Sequence, residues 1–427
     1  MDVLILLGSF FALVAFSIPV AYAMGLAALI AASWVDIPWQ AAMIKMADGV
    51  NKFSLLAIPF FVLAGAIMAE GGMARRLVAT ANVFVGFIRG GLALVNILAS
   101  TMFGCISGSA VADTSSIGTV MIPQMVKRGY PRVFAVNVTI AGAVQAILIP
   151  PSHNAVIYSL AAGGTISIAH LFVAGFFPGL LLGGSLIALV LIYAHRYGFP
   201  KGEPVPLRQA VKIVVEGLWG LGTMIIILGG ILGGIFTATE SAAVAVVYAF
   251  CVTMFVYRDY RWRDLHHLVH RTVKTVSMVM MLIAFASCFG YIMALMQIPA
   301  KITAFFLTVT ENKYLLLLMI NVMFLLLGCM MDMAPLILIC TPILLPVVVK
   351  FGIDPIHFGM IMLVNLGIGL ITPPVGAVLF VGCAVGKVTI EEAARHLMPF
   401  LGAMLVALAL VTYVPWFSLW LPSLLKL

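Results

Sequence analysis

The chain has 427 residues, 63% hydrophobic and 9% charged, with 23 Lys and Arg against 15 Asp and Glu and a net charge of +8. A soluble chain carries about 25% charged residues to meet water, so a soluble globular protein is excluded. The cations sit in short segments between apolar runs, which marks membrane loops and not a nucleic-acid binder.

In chain order, residues 3–33 form the first uncharged apolar stretch. Met1-Asp2 has no basic flank and the apolar run exceeds that of a cleavable signal, so a membrane span is expected. Crossing a roughly 30 Å hydrocarbon core takes about 20 helical residues. Residues 3–33, 133–194, 217–257 and 275–300 contain Glu240 as their one acid and no Lys or Arg. Residues 90–126 as one helix would extend about 55 Å, too long for a single crossing. They contain GCISGSAVADTSSIG (104–118), and Ser107-Gly108-Ser109 is the natural turning point. A re-entrant hairpin over about 90–127 is expected; the alternative is two short spans joined by an exposed loop. Arg89, Lys127, Arg128, Arg132, Arg196, Lys201, Arg208 and Lys212 read as cytoplasmic loop residues.

A helix over about 133–165 is interrupted by Pro150-Pro151 in LIPPSHNA. Proline removes a backbone donor and pushes the preceding residue out of the α region. The freed carbonyls cannot face lipid, so they must line a protein-buried or watered cavity. Glu240, in GGIFTATESAA, falls where a helix would restart, and an acid in a first turn is favoured by the dipole. Residues 258–274 (RDYRWRDLHHLVHRTVK) predict an amphipathic helix lying in the interface with Trp262 and Leu265 inward. His266 and His270 share a face there, which alone is a weak metal signal. A second hairpin is expected over about 314–350, turning at Asp332-Met333-Ala334-Pro335. A second broken helix follows over about 355–386, with Pro373-Pro374 in LITPPVGA.

These features recur at a fixed spacing. Pro123 and Pro346, Lys127 and Lys350, Gly129 and Gly352, Pro150-Pro151 and Pro373-Pro374, and Gly163 and Gly386 are all 223 apart (346 − 123). Two repeats are expected, 1–215 and 216–427. Broken helices at matching positions of two halves point to a transporter's binding site.

Three carboxylates lie in apolar surroundings: Asp113, Asp332 and Glu240. An ionisable group at membrane depth is expensive and implies function by default. Asp332, at a hairpin tip with no neighbouring cation in sequence, has the strongest case. Hydroxyls, carbonyls and a carboxylate are hard oxygen donors suited to Na⁺. Asp113 reads equally as a helix cap accepting from the N–H of Ser115 or Ser116, and Glu240 leans to a structural role. His153 reads as a hydrogen-bonding spacer. The six cysteines (Cys105, Cys251, Cys288, Cys329, Cys340 and Cys383) lack metal-ligand spacing and read as small buried hydrophobes. No GxxxxGK[ST] loop occurs, so ATP hydrolysis within the chain is not expected. No acid/base or nucleophile set marks an enzyme.

At these residues the chain resembles the large membrane subunit of tripartite ATP-independent periplasmic (TRAP) transporters. The likeness rests on IPFFVLAGAIMAEGG (58–72), SGSAVADTSSIG, LIPPS, GGIFTATESAAVAVVYA (233–249), MDMAPLILICTPILLPV and GLITPPVGAVLFV, in order from about residue 50 to 385. The chain departs at Ala238, where the family often has proline. The resemblance implies an all-α integral membrane protein of the bacterial inner membrane. It implies two inverted repeats, each with a re-entrant hairpin and a Pro-Pro-broken helix, in an elevator-type carrier. It also implies a Na⁺-coupled importer of a small organic anion, a small four-helix membrane subunit and a periplasmic substrate-binding protein. By the same analogy, one Na⁺ would engage Ser107, Gly108, Ser109, Pro150 and Ser152. A second would engage Gly328, Asp332, Thr372 and Pro373, with Asp113, Glu240 and Gly376 as further candidates. The substrate carboxylate would rest near Ser109, Ser152 and Asn154.

Overall fold

The computed structural model describes residues 2–425, which are helical throughout; among them the one β contact is an isolated bridge between Arg89 and Lys201. The chain opens with α1 (Asp2–Ala15), α2 (Val20–Trp34), α3 (Trp39–Val50), α4 (Ala57–Glu70) and α5 (Met73–Val85). Next come α6 (Gly91–Ser107) and α7 (Ala110–Lys127), folded back on each other through Gly108, whose φ of +58° favours glycine. Then follow α8 (Arg132–Ala146), α9 (His153–Ala161), α10 (Ile168–Arg196), α11 (Leu207–Leu232), α12 (Ala238–Cys251) and α13 (Leu265–Leu295). The last group is α14 (Ile298–Val309), α15 (Lys313–Gly328), α16 (Met333–Lys350), α17 (Pro355–Gly369), α18 (Ala377–Gly386), α19 (Ile390–Tyr413) and α20 (Trp416–Leu424).

Seven helical stretches among the described residues are long and apolar enough to cross a membrane. The centre belongs instead to shorter helices. In α8 all residues from Phe134 to Ala146 are buried, and in α17 all from His357 to Gly369. Both are apolar around their whole circumference, the pattern of a helix enclosed by protein. Each stops at a Pro-Pro pair, both of whose peptide bonds are cis, and restarts as a short helix, α9 or α18. The helix bounds repeat the sequence spacing. The ends of α7 and α16 are 223 apart (333 − 110 and 350 − 127), as are those of α8 and α17 (355 − 132 and 369 − 146).

Contacts define two ends of the molecule. At one end Gly90 N–H donates to Pro200 O at 3.2 Å, so the base of the α6–α7 pair meets the end of α10. The same end receives the start of α11, where Thr80 Oγ1 donates to Ile213 O at 3.4 Å. The 258–261 loop joins it too, through Arg76–Asp259 and a hydrogen bond of 2.7 Å from Tyr260 to Glu70. At the other end Tyr158 Oη donates to Pro355 O at 2.6 Å, and the ring of His357 meets Thr412 O at 3.2 Å. The base of the α15–α16 pair is therefore at the end from which α10 starts.

Two expectations are corrected. Residues 258–274 are not a separate interfacial helix. Leu265 begins a helix that runs unbroken to Leu295, because nothing between them interrupts it. Trp262 is 67% exposed and meets Phe250 edge-on. The second turn lies at 329–332, one step earlier than expected, with Met333, Ala334 and Pro335 in the first turn of α16. A first-turn proline is tolerated because its missing N–H would have no partner there. The division drawn at 215/216 falls inside α11.

Candidate functional site

The first tip, residues 107–109, lies against the first helix break, 147–152. A Cβ built on Gly108 would stand 3.0 Å from Pro151 O and 3.3 Å from His153 Nδ1. Such an approach requires glycine, since a side chain there would push the tip off the break. Ser109 caps α7, its Oγ accepting from Ala112 N–H at 3.4 Å, while Ser107 Oγ accepts from Ser109 N–H at 3.4 Å. Ser152 occupies the N-cap position of α9 yet makes no capping bond, and its buried hydroxyl has no protein partner. Pro150 contributes its backbone within the same break.

The second tip lies against the second break, 370–376, in the same way. Val375 N–H donates to Cys329 O at 3.1 Å. Gly328 and Gly369 meet backbone to backbone, a Cβ on Gly369 falling 2.7 Å from Gly328 Cα. Thr372 Oγ1 donates to Ile368 O at 2.8 Å, which leaves its oxygen lone pairs open. Gly376, at φ +51°, faces the carbonyls of Leu370 and Thr372, each 3.1 Å from where its Cβ would be. Pro373 completes this polar backbone ring at half-buried depth.

The two aspartates differ in burial and in capping. Asp332 is exposed and caps α16, its Oδ1 accepting from Met333 N–H at 2.8 Å. The buried carboxylate is Asp113, fully enclosed, with no well-formed hydrogen bond and the Ser100 hydroxyl of α6 beside it. It does not cap α7, because Ser109 already does and Asp113 lies a turn further in, on the face turned toward the protein. Asp332 also lies within electrostatic reach of His153 on the first break. Glu240 forms a reciprocal capping box with Thr237, accepting from Thr237 N–H at 2.8 Å and donating its own N–H to Thr237 Oγ1 at 3.3 Å.

A cavity of about 660 Å³ opens onto the first tip. Ser107, Ser109 and His153 line its deep end, Ser115, Ser116 and Thr119 its α7 wall, and Glu70, Arg75 and Arg271 its mouth. Glu70 and Arg271 pair at 3.3 Å. Of the three residues expected to meet the substrate, Ser109 lines this cavity, whereas Ser152 and Asn154 are buried behind it. His153, read from sequence as a spacer, is on the lining. Its position one residue into α9, between two buried neighbours, was the available signal. Among the described residues no cluster of three His, Cys, Asp or Glu could hold a metal, and His266 and His270 belong to none.

Comparison with known proteins follows this geometry. The profile of the family "Tripartite ATP-independent periplasmic transporter, DctM component" matches residues 7–417. The chain is 36% identical over 438 residues to the C4-dicarboxylate TRAP transporter large permease protein DctM of Rhodobacter capsulatus, covering 100% of both. It is 40% identical to the isethionate TRAP transporter permease protein DctMQ of Oleidesulfovibrio alaskensis, covering 96% of this chain and 65% of that longer one. In fold it is similar to the Alcanivorax borkumensis YdaH transporter, with a TM-score of 0.62 at 15% identity over 88% of each chain.

Proposed function

Since the chain belongs to the tripartite ATP-independent periplasmic transporters as the large, DctM-type permease component, we propose that it carries a small organic acid inward, driven by Na⁺. It is a multi-pass inner-membrane transport protein and not an enzyme. The observation that carries the ion-coupled reading is the docking of both tips on both breaks, at Gly108 with Pro151 and at Gly328 with Gly369. Each junction brings helix-end backbone together with a hydroxyl, Ser152 at the first and Thr372 at the second, the kind of oxygen ligand a Na⁺ needs. The first ion would be held by Ser107, Gly108, Ser109, Pro150 and Ser152, and the second by Gly328, Thr372 and Pro373, with Gly376 beside them. Asp332 supplies charge at the rim, and Asp113 remains a candidate ligand behind the first tip.

The chain path supports inversion of the two halves. From Lys127 the chain crosses as α8 with α9, then as α10, α11, α12 and α13, before α15 and α16 return it to Lys350. Five crossings place the bases of the two hairpins at opposite faces. They also leave the basic 258–264 segment on the face of Lys127, as the positive-inside rule wants. Inverted halves that share one site are the architecture of alternating access, here by elevator movement of the tips and breaks.

Na⁺ bound at the tips would make the site attractive to an anion, a coupling that is reciprocal by linkage. The relatives' names supply the substrate class: a C4-dicarboxylate for one, the sulfonate isethionate for another. We assign a small carboxylate or sugar acid, received near Ser109 and His153 with Ser152 and Asn154 in the layer behind. A periplasmic binding protein delivers it, and a small four-helix membrane subunit completes the complex. The DctMQ chain, of which the match covers 65%, fits a permease fused to such a subunit. The test is uptake of candidate organic acids into proteoliposomes holding both membrane subunits, with binding protein outside. Uptake should require a Na⁺ gradient and no ATP. Full-rate uptake without Na⁺ at clamped potential overturns the coupling, and robust uptake by this chain alone at micromolar substrate overturns the partner requirement.

A further inference from the structure

A second cavity, of about 670 Å³, lies between α5 and the end of α7. Arg75, Lys127 and Arg128 line it together with Asn82 and Gln124, and no acid does. All three cations are exposed, and among the described residues none of them forms an ion pair. Their neighbours differ: Arg76 is held by Asp259 and stacked on Tyr257 at 3.8 Å, and Arg271 is held by Glu70. The nearby acids are accounted for. Asp259 and Glu216 face Arg75 from a separate 270 Å³ cavity on its other side, and Glu203 lines a 110 Å³ cavity beyond Arg128. Arg75 and Val120 also line the cavity that reaches the first tip, so the two spaces adjoin.

We infer that this cavity is an anion-binding vestibule on the cytoplasmic side, which holds a carboxylate between the first tip and the cytosol. The inference rests on the transport reading above for its sidedness and adds a site to it. A concave space lined by cations of one sign raises the local concentration of anions and speeds their encounter. Positive loops alone orient a membrane protein, but they need not converge on a cavity that adjoins the permeation site. A phosphodiester headgroup offers the same anionic chemistry as a substrate carboxylate, so the test separates the two.

A fluorophore on Gln124→Cys, in a protein whose exposed Cys251 is replaced by Ser, reports local anion concentration. The readout is quenching by iodide relative to neutral acrylamide in proteoliposomes of phosphatidylcholine. Exposed charge interactions are weak, so removing each cation should lower this ratio modestly. Arg75→Gln and Lys127→Gln should each reduce it about two- to fivefold at low salt, converging with the parent at high salt. Arg75→Lys should retain it. Added phosphatidylglycerol that protects the label from iodide assigns the site to a lipid headgroup; unchanged quenching assigns it to soluble anions. In counterflow with labelled succinate, Lys127→Gln, whose side chain lines this cavity and not the one at the first tip, should raise the half-saturating concentration on the cytoplasmic face and leave binding-protein-dependent uptake unaltered. An iodide ratio equal in parent and Arg75→Gln/Lys127→Gln protein overturns the vestibule. Because that readout needs no transport, it stands apart from a failure of Na⁺-driven uptake.

Discussion

Replacing Gly369 by alanine tests whether ion binding depends on seating the second tip against the second break. The added Cβ would fall 2.7 Å from Gly328 Cα and C and 2.9 Å from its O. Ordinary contact begins near 3.4 Å, so one backbone must retreat by about 0.7 Å (3.4 − 2.7). Unlike a side chain, neither backbone can rotate aside. Overpacking of this kind costs about 1–3 kcal/mol, or about 5- to 140-fold in an equilibrium constant at about 1.4 kcal/mol per tenfold. Helix propensity works the other way, since alanine is favoured over glycine by roughly 1 kcal/mol, so a loss cannot come from the helix itself. Half-saturating Na⁺ in initial-rate uptake should rise at least about fivefold. Gly328→Ala, with its nearest clash at 3.2 Å, should show a smaller shift. Gly402→Ala, with nothing within 4 Å, should show none. A Gly369→Ala protein with the parent's Na⁺ curve would refute the idea that this junction forms an ion site.

Asp332→Asn should leave folding intact, because asparagine caps a helix as well as aspartate does. Its exposure screens the charge, so the loss in Na⁺ affinity should be on the order of 1 kcal/mol, about fivefold, read from uptake against Na⁺. Asp113→Asn should preserve or raise the thermal midpoint, since it removes an enclosed charge that has no cationic partner and only the Ser100 hydroxyl beside it; a fall of several degrees would mean that a bound cation or water held that carboxylate in place. Thr237→Ala breaks the capping box with Glu240 and should lower stability by about 1 kcal/mol without moving the Na⁺ curve. Tyr158→Phe removes the 2.6 Å bond to Pro355 O and should likewise cost about 1 kcal/mol, read as a lower thermal midpoint with unchanged half-saturation.

Much of this protein is written in local chemistry that the sequence exposes directly. Charge scarcity determines the membrane, because about 20 apolar residues per crossing leave no room for ions. Each Pro-Pro pair determines a helix end, because proline lacks the donor the next turn requires. The first turn follows from Ser107-Gly108-Ser109, where only glycine relaxes at φ +58°. The 223-residue spacing is legible in the sequence before any helix is drawn. What tertiary structure alone decided concerns burial and ends. Asp113 and Asp332 are chemically alike and each sits near a helix start, so sequence could not tell the exposed cap from the enclosed carboxylate. The difference is one turn of helix, which buries Asp113 within the first turn of α7 and leaves Asp332 as the exposed N-cap of α16. Likewise the face carrying residues 258–274 could not be counted from hydropathy. The segment's place beside the ends of α4 and α5 comes from Arg76 with Asp259 and Glu70 with Arg271, pairs separated by some two hundred residues that only the packed chain brings together.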